Sequence, residues 1–153
     1  MVIRAATKKD LNVLLGLIEQ KIEFDRRMKS FRGEVTTFVE NIERRLFSEH
    51  PYAHVLLLEV DGKALGFALF RYKRSSFGRE ISIWLDDLFV VEKHRSKGYG
   101  RKLMLALKTQ AKLSSASYIS WMVSAENIKA QEFYKSLGAE VKQAEGQRPQ
   151  FRW

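Results

Sequence analysis

The sequence has no cysteine and only two prolines among its 153 residues. The absence of cysteine excludes disulfide bonds, thiolate metal sites and a covalent cysteine nucleophile. No run approaches the roughly 18 apolar residues of a membrane span, and the N-terminal "MVIRAATKKD" lacks the apolar core of a signal peptide. These absences predict a cytoplasmic protein that does not associate with membranes.

The chain is instead rich in apolar residues and in positive charge. Apolar residues make up 45% of the sequence, too many for a disordered chain, and the length predicts one domain over residues 1–153. The net charge of +9 favours anionic partners such as phosphates or nucleic acid, although many small basic proteins use their charge only for solubility. Composition alone therefore leaves the kind of partner open.

Hydrophobic periodicity predicts an alternation of strands and helices along the whole chain. In chain order the segments are strand "VIRAAT", helices "LNVLLGLIEQKI" and "EVTTFVENIERRLF", strands "AHVLLLEV", "ALGFALFRY" and "EISIWLDDLFVV", helix "YGRKLMLALKTQAKL", strand "YISWMV", helix "NIKAQEFYKSL" and strands "AEVKQ" and "RPQFRW". Thr7 is expected to cap the first helix, Asp61-Gly62 to form a hairpin turn, and Gly138 to end the last helix. This order predicts an α/β fold with one mixed sheet.

The stretch "HRSKGYGRKL", residues 94–103, places two glycines among positive charges, between a nearly all-apolar strand and a helix. A helix N-terminus presents unpaired N–H groups and a partial positive charge, so it can bind an anion. Gly98 and Gly100 would let phosphate oxygens reach the main chain. The surrounding bases are Arg95, Lys97, Arg101 and Lys102. The alternative is an ordinary glycine turn followed by a solvated, basic helix start.

Comparison with known phosphate-binding motifs narrows the kinds of phosphate site that this stretch could form. The P-loop pattern is absent, and the dinucleotide fingerprint fails because Leu103 stands at its third glycine position. What remains is an R-x-x-G-x-G turn, followed further on by "NIKAQEFYKSLGAE". Together, the two motifs resemble the GCN5-related N-acetyltransferase (GNAT) family, and the resemblance covers nearly the whole chain. It implies the GNAT fold: a central mixed, mostly antiparallel sheet, splayed by a bulge and flanked by about four helices.

The resemblance implies acetyl-CoA as the cofactor and its pyrophosphate as the anion at the glycine turn. The strand before the turn would bind the pantetheine arm through its main chain, and the last helix would line the far wall. The cofactor-binding residues implied in this way are Leu88, Phe89, Val90, Arg95, Ser96, Lys97, Gly98, Tyr99, Gly100, Arg101, Asn127, Ala130 and Tyr134.

Other stretches, among them "RLFSEHPYAHVLLLEV" and "IWLDDLFVVEKHRSKGYG", resemble the spermidine/spermine and thialysine N-acetyltransferase branch of the family. That branch has a glutamate at the position of Asp86 and a tyrosine at the position of Phe24. It implies a homodimer whose acceptor is a small polyamine, diamine or lysine-like amino acid. The acceptor-binding residues implied are Phe24, Asp25, Asp86 and Glu145. Trp121 is predicted to join them by lining the groove, and its alternative role is core packing.

Acetyl transfer to an amine needs a base for the amine proton, and stabilisation of the thioester oxygen and the departing thiolate. Asp86 is the predicted base, acting through water, and its alternative role is a structural ion pair. Strand alternation predicts that Asp87 points to the opposite face. Tyr134 is the predicted acid for the thiolate, and its alternative role is core packing. A main-chain N–H near Phe89 would polarise the carbonyl, and transfer would be direct, in a ternary complex.

Two other functions stay open at this point. A GNAT enzyme could acetylate a peptide or protein amine, or the basic loop could belong to a non-catalytic nucleic-acid-binding module. The module would need exposed aromatic residues interleaved with bases, whereas most aromatic residues here fall at positions with a buried pattern. We therefore predict a small-molecule partner, no nucleic acid and no metal.

Overall fold

The computed structural model describes residues 1–27, 39–76, 78–145 and 148–153. Within these residues a seven-stranded sheet carries four α-helices. The strands are β1 (Val2–Ala5), β2 (His54–Val60), β3 (Lys63–Arg74), β4 (Ile81–Val90), β5 (Ile119–Met122), β6 (Glu140–Glu145) and β7 (Arg148–Arg152). The helices are α1 (Leu11–Arg27), α2 (Val39–Phe47), α3 (Tyr99–Leu113) and α4 (Ile128–Ser136). The predicted order of elements is confirmed; the first part of the predicted second helix, residues 34–38 with Phe38, lies outside the described residues.

The sheet has the strand order β1-β2-β3-β4-β5-β7-β6. Only β4 and β5 run parallel among the described pairs, so the sheet is mixed and mostly antiparallel, as predicted. Helices α1 and α2 cover one face, where Leu14 and Leu17 pack against Phe67 and Phe89. Helices α3 and α4 cover the other face over a larger core. No helix in the described ranges combines the length and the apolar character that crossing a bilayer requires.

Local turn chemistry fixes the ends of several elements. Asp10 accepts a 2.7 Å hydrogen bond from the Thr7 main-chain N–H just before α1. Asp61 and Gly62 have φ values of 53° and 75°, which suit the tight hairpin between β2 and β3. Gly138, at φ 93°, follows α4. These three turns are the ones that the sequence predicts.

Strand β4 separates from β5 halfway along its length. The two strands pair at only two positions, Ile83 with Ile119 and Trp84 with Ser120. Strand β4 stays paired with β3 as far as Val90, whereas β5 is paired with β7 on its other side. The edge of β4 from Leu85 onward is therefore open toward β5. This is the splayed sheet that the family resemblance implies.

A β-bulge lies next to this opening. Leu69 of β3 pairs with Asp87, but the next residue, Phe70, pairs with Leu85, so Asp86 is an extra residue in β4. Leu85 belongs to the core under α3 and α4, whereas Phe89 belongs to the core under α1 and α2. The extra residue shifts the alternation, so Asp86 and Asp87 both face the α1 layer. The prediction that Asp87 points away is wrong because it assumed an unbroken strand.

Candidate active site

The glycine turn lies at the start of α3. Gly98 has φ 81° and ψ 5° and is the N-cap residue, a left-handed conformation that side chains rarely adopt. A Cβ built on Gly98 would meet no atom within 4 Å, so the space above its main chain is open. The first N–H groups of α3 have no partner within the helix. An anion can therefore approach these N–H groups at Gly98 without a side chain in the way.

The second glycine, Gly100, lies at a close contact between two helices. A Cβ on Gly100 would lie 3.3 Å from the Phe133 Cζ atom of α4, closer than ordinary van der Waals contact. Gly100 therefore allows the start of α3 to pack closely against α4. Of the two glycines, Gly98 is thus the one with open space above its main chain.

Arg95 joins the glycine turn to two other elements. Its Nε atom donates a 2.9 Å hydrogen bond to the Val90 carbonyl oxygen of β4. Its guanidinium lies 4.1 Å from the centroid of the Phe24 ring of α1. Ser96, Lys97, Arg101 and Lys102 are exposed, in the glycine turn and the first turn of α3.

The open edge of β4 presents main-chain groups at alternate residues. Val91 donates a 2.8 Å hydrogen bond to the Leu65 carbonyl of β3. Since ladder bonds alternate in an antiparallel pair, the main chain of Phe89 also faces β3, while that of Leu88 and Val90 faces the gap. The structure thus corrects the prediction for Phe89: its main-chain groups belong to the β3–β4 ladder and do not line the opening.

The family resemblance assigns the far wall of the opening to α4. The Asn127 side chain caps this helix by accepting a 3.2 Å hydrogen bond from the Ala130 N–H. Its side-chain oxygen therefore already has a partner within the protein. The structure assigns Asn127 the role of fixing the start of α4. Ala130 is half-buried and packs against the larger core.

Tyr134 of α4 combines deep burial with an unpaired hydroxyl. Its ring is 8% exposed and lies 4.8 Å from Trp121 and 5.7 Å from Phe151, centroid to centroid. No described residue hydrogen-bonds to its hydroxyl. Burial raises the pKa of Tyr134, and the charge of Asp87 raises it further. Tyr134 is therefore a core aromatic that also keeps its phenolic proton at neutral pH.

Trp121 has no access to an acceptor. Its side chain is 2% exposed and stacks on Phe151, and its Nε1 atom is buried without a described partner. The structure corrects the predicted acceptor contact: Trp121 is a core residue that supports Tyr134. The alternating pattern of "YISWMV" already indicated burial, since Trp121 lies two residues from the buried Ile119.

Asp86 forms an ion pair on the sheet surface. Arg71 of β3 binds both of its oxygens, with Nε 2.9 Å from Oδ2 and Nη2 3.2 Å from Oδ1. Arg71 also donates a 2.7 Å hydrogen bond to the Tyr52 hydroxyl. The carboxylate is thus fixed in orientation, and its side chain remains 27% exposed.

A second cluster joins α1 to the bulge. The Lys21 Nζ atom lies 2.8 Å from Asp87 Oδ1 and 2.5 Å from Asp25 Oδ2. Burial alone would lower the pKa of Lys21, but the charges of Asp87 and Asp25 outweigh it and raise that pKa. Burial also raises the pKa of Asp87. The positive charge of Lys21 lowers that pKa, whereas the negative charges of Asp25 and Asp86 raise it. The pKa of Lys21 therefore rises through its two carboxylate partners, whereas the pKa of Asp87 rises mainly through burial.

Sequence reasoning did not single out Lys21 or Arg71, and it gave Asp87 only a structural role. The four-residue spacing of Lys21 and Asp25 is a signal for a helical ion pair that could have been found. The contacts of Asp86 and Asp87 depend on the bulge, which no residue pattern marks. The side chain of Glu145, in β6, lies outside what the structure describes.

Comparison with known proteins agrees with this geometry. The profile of the Acetyltransferase (GNAT) family matches residues 20–139. The chain is 31% identical to L-ornithine N5-acetyltransferase NATA1 of Arabidopsis thaliana, over 71% of this chain but only 48% of that protein. It is 28% identical to thialysine N-epsilon-acetyltransferase of Bos taurus, over 95% of this chain and 88% of that protein. A solved aminoglycoside N-acetyltransferase in complex with CoA shares the fold, with a TM-score of 0.71, 20% identity, and coverage of 95% of this chain and 96% of that one.

The splayed sheet, the left-handed glycine at the start of α3 and the family match lead to one conclusion: the chain belongs to the GNAT family of acetyltransferases. Enzymes of this family take the acetyl group from acetyl-CoA. The residues present fit that donor, because a Cβ on Gly98 would stand in the open space over the α3 N-terminus, where a phosphate would approach.

Replacing Gly98 by valine tests this fit. We expect Gly98→Val to weaken the binding of coenzyme A, measured by calorimetric titration, because its side chain would stand in the path of the pyrophosphate. Gly62→Val is the matched control, since Gly62 has φ 75°, equally open surroundings and a place in the β2–β3 hairpin. Both variants carry similar backbone strain, so only Gly98→Val should lose affinity. Unchanged affinity in a folded Gly98→Val protein would contradict the phosphate site.

Proposed function

We propose that this protein transfers the acetyl group of acetyl-CoA to the primary amine of a small acceptor, either a polyamine, a diamine or a lysine-like amino acid. Transfer would be direct, within a ternary complex. The observation that supports this proposal most is the open edge of β4, together with two carboxylates of that strand, Asp86 and Asp87, and the proton-bearing phenol of Tyr134. The charge of Asp87 acts on Tyr134, so the two groups are close enough to influence each other.

The chain offers a continuous set of contacts for the donor. Gly98 and the N–H groups at the start of α3 would hold the pyrophosphate, with Ser96, Lys97 and Arg101 around it. Leu88 and Val90, whose main chains face the gap, would bind the pantetheine arm. Arg95 already donates a hydrogen bond to the Val90 carbonyl oxygen, so its side chain would form one side of the groove for the pantetheine arm.

Catalysis would then depend on three groups of the chain. The Leu88 N–H, which the alternation of the ladder turns to the gap, would polarise the acetyl carbonyl. Asp86 would take the proton of the acceptor amine through a water molecule, because its carboxylate is exposed and held by Arg71. Tyr134, which is protonated at neutral pH, would give its phenolic proton to the departing thiolate.

The names of the relatives support a small amine acceptor. One relative is named for L-ornithine and another for thialysine, and both are amines that carry an α-amino-acid group. Three acidic residues, Asp25, Asp86 and Asp87, lie on the α1 side of the open edge, each in an ion pair with Lys21 or Arg71, and would provide polar contacts for an acceptor there. We also propose that the protein is a homodimer, that residues 1–153 form a single domain and that it is located in the cytoplasm. Light scattering during gel filtration tests whether it is a homodimer.

An acceptor screen tests the substrate class. Purified protein is incubated with acetyl-CoA and single amines, among them spermidine, 1,5-diaminopentane, L-lysine and L-ornithine, and the release of thiol is followed. We expect at least one of these amines to release thiol well above the rate without acceptor. If none does, while a peptide with a free amine does, the acceptor is a peptide or protein amine and the proposal is wrong.

The role of Tyr134 can be tested separately from donor binding. We expect Tyr134→Phe to lower turnover by about 10²-fold or more, a common size for the loss of a general acid. Affinity for coenzyme A should change little, because the aromatic ring and its packing remain. Unaffected turnover would mean that Tyr134 only fills the core and that solvent protonates the thiolate.

The two neighbouring carboxylates can be distinguished by matched variants. Asp86→Asn and Asp87→Asn each remove one negative charge from the same face of β4. If Asp86 is the base, Asp86→Asn should lower kcat/KM by about 10²-fold or more and Asp87→Asn by less. A larger loss in Asp87→Asn, with the acidic limb of the pH–rate profile changed, would transfer the role of base to Asp87.

A further inference from the structure

Lys21 lies where an acceptor's second positive charge would be expected. Its ammonium contacts Asp25 at 2.5 Å and Asp87 at 2.8 Å, and its side chain is only 20% exposed. Asp25 is one of the carboxylates that the sequence assigns to the acceptor. A lysine of the protein itself thus already occupies the position beside Asp25 that the distal ammonium of a diamine would need.

A second base adds to this effect. The Arg95 guanidinium lies over the ring of Phe24, the residue before Asp25, and the charge of Asp25 acts on it. An ammonium group that approaches Asp25 therefore meets a carboxylate that is already paired and two neighbouring positive charges. Repulsion of this kind discriminates against a competing ligand as effectively as a new attractive contact favours the right one.

We propose that Lys21 is a specificity-determining residue that disfavours diamines and selects acceptors whose distal end is zwitterionic, as in an α-amino acid. The proposal rests on the function proposed above. Lys21 and Asp25 present a positive and a negative group side by side. The carboxylate of the acceptor would bind to Lys21, and its α-ammonium would bind to Asp25, so both ends of the ion pair keep a partner of opposite charge.

The geometry leaves the reacting amine free. Asp25 and Lys21 both lie on α1, whereas Asp86 is held by Arg71 of β3. A lysine-like acceptor bound to α1 by its α-amino-acid end can therefore extend its side-chain amine toward β4. A diamine of the same length lacks the carboxylate, so its ammonium would bind Asp25 beside Lys21 with no negative group to offset the repulsion from that lysine.

The test compares two acceptors that differ by one carboxylate. L-lysine and 1,5-diaminopentane have the same chain length and the same reacting amine, so the ratio of their kcat/KM values isolates the distal end. The ratio is measured in wild type, Lys21→Met and Lys21→Arg. Lys8→Met is the matched control, because it also removes one lysine from an ion pair, with the exposed Glu43. Circular dichroism and calorimetric titration with coenzyme A establish that each variant is folded.

We expect wild type to favour L-lysine and Lys21→Met to lower the ratio by about tenfold or more, a size typical of an interfacial charge contact. Lys21→Arg should largely keep the wild-type ratio, because it keeps the charge, and Lys8→Met should leave it unchanged. Lys21→Gln replaces Lys21→Met if the latter does not fold.

Each remaining outcome contradicts the proposal in a recognisable way. If wild type acetylates either acceptor but the ratio is the same in folded Lys21→Met, Lys21 does not determine specificity and only this inference fails. A folded Lys21→Met protein that is inactive with both acceptors would assign Lys21 to catalysis instead. If wild type acetylates neither acceptor nor any other small amine, the proposed function fails and this inference fails with it.

Discussion

Strand β4 pairs with β3 along its length but with β5 at only two positions, and this leaves main-chain groups on its second half in need of partners. A buried polar group without a partner costs about 1–3 kcal/mol, so an edge of this kind is stable only if solvent, a side chain or a ligand binds to it. Arg95 supplies one such partner, at the Val90 carbonyl. On the rest of this edge, hydrogen bonds from a ligand would not compete with the ladder bonds that the described strands make.

The order of elements follows from local signals that the tertiary structure does not change. The apolar spacing of Leu14 and Leu17, the Asp61-Gly62 turn and the stop at Gly138 each act within a few residues. The same holds for the start of α3, where Gly98 follows a basic turn. The fold class could therefore be predicted from the sequence together with the family resemblance, and the same local signals support the proposed place of the donor site.

The arrangement of side chains within the site was less predictable, because it depends on non-local events. Asp87 turns toward Lys21 only because Asp86 is an extra residue relative to β3, and register shifts of this kind leave no composition signal. Gly100 is explained by Phe133 of a helix that comes later in the chain. Phe89 has its main chain in the ladder, a consequence of which residues of β3 and β4 pair. In each case a partner distant in sequence decides the role.

The bulge at position 86 keeps β4 in phase with the two hydrophobic cores although the strand carries an extra residue. Before the bulge, Ile83 and Leu85 supply the core under α3; after it, Phe89 supplies the core under α1 and Val90 returns to the first. Strand β3 has no extra residue at this point, so Leu85 opposite Phe70 and Asp87 opposite Leu69 follow a regular alternation once position 86 is set aside. A strand without this residue would therefore supply the same side chains to both cores and would lose only the bulge. The carboxylate proposed for catalysis stands on a residue that neither core requires.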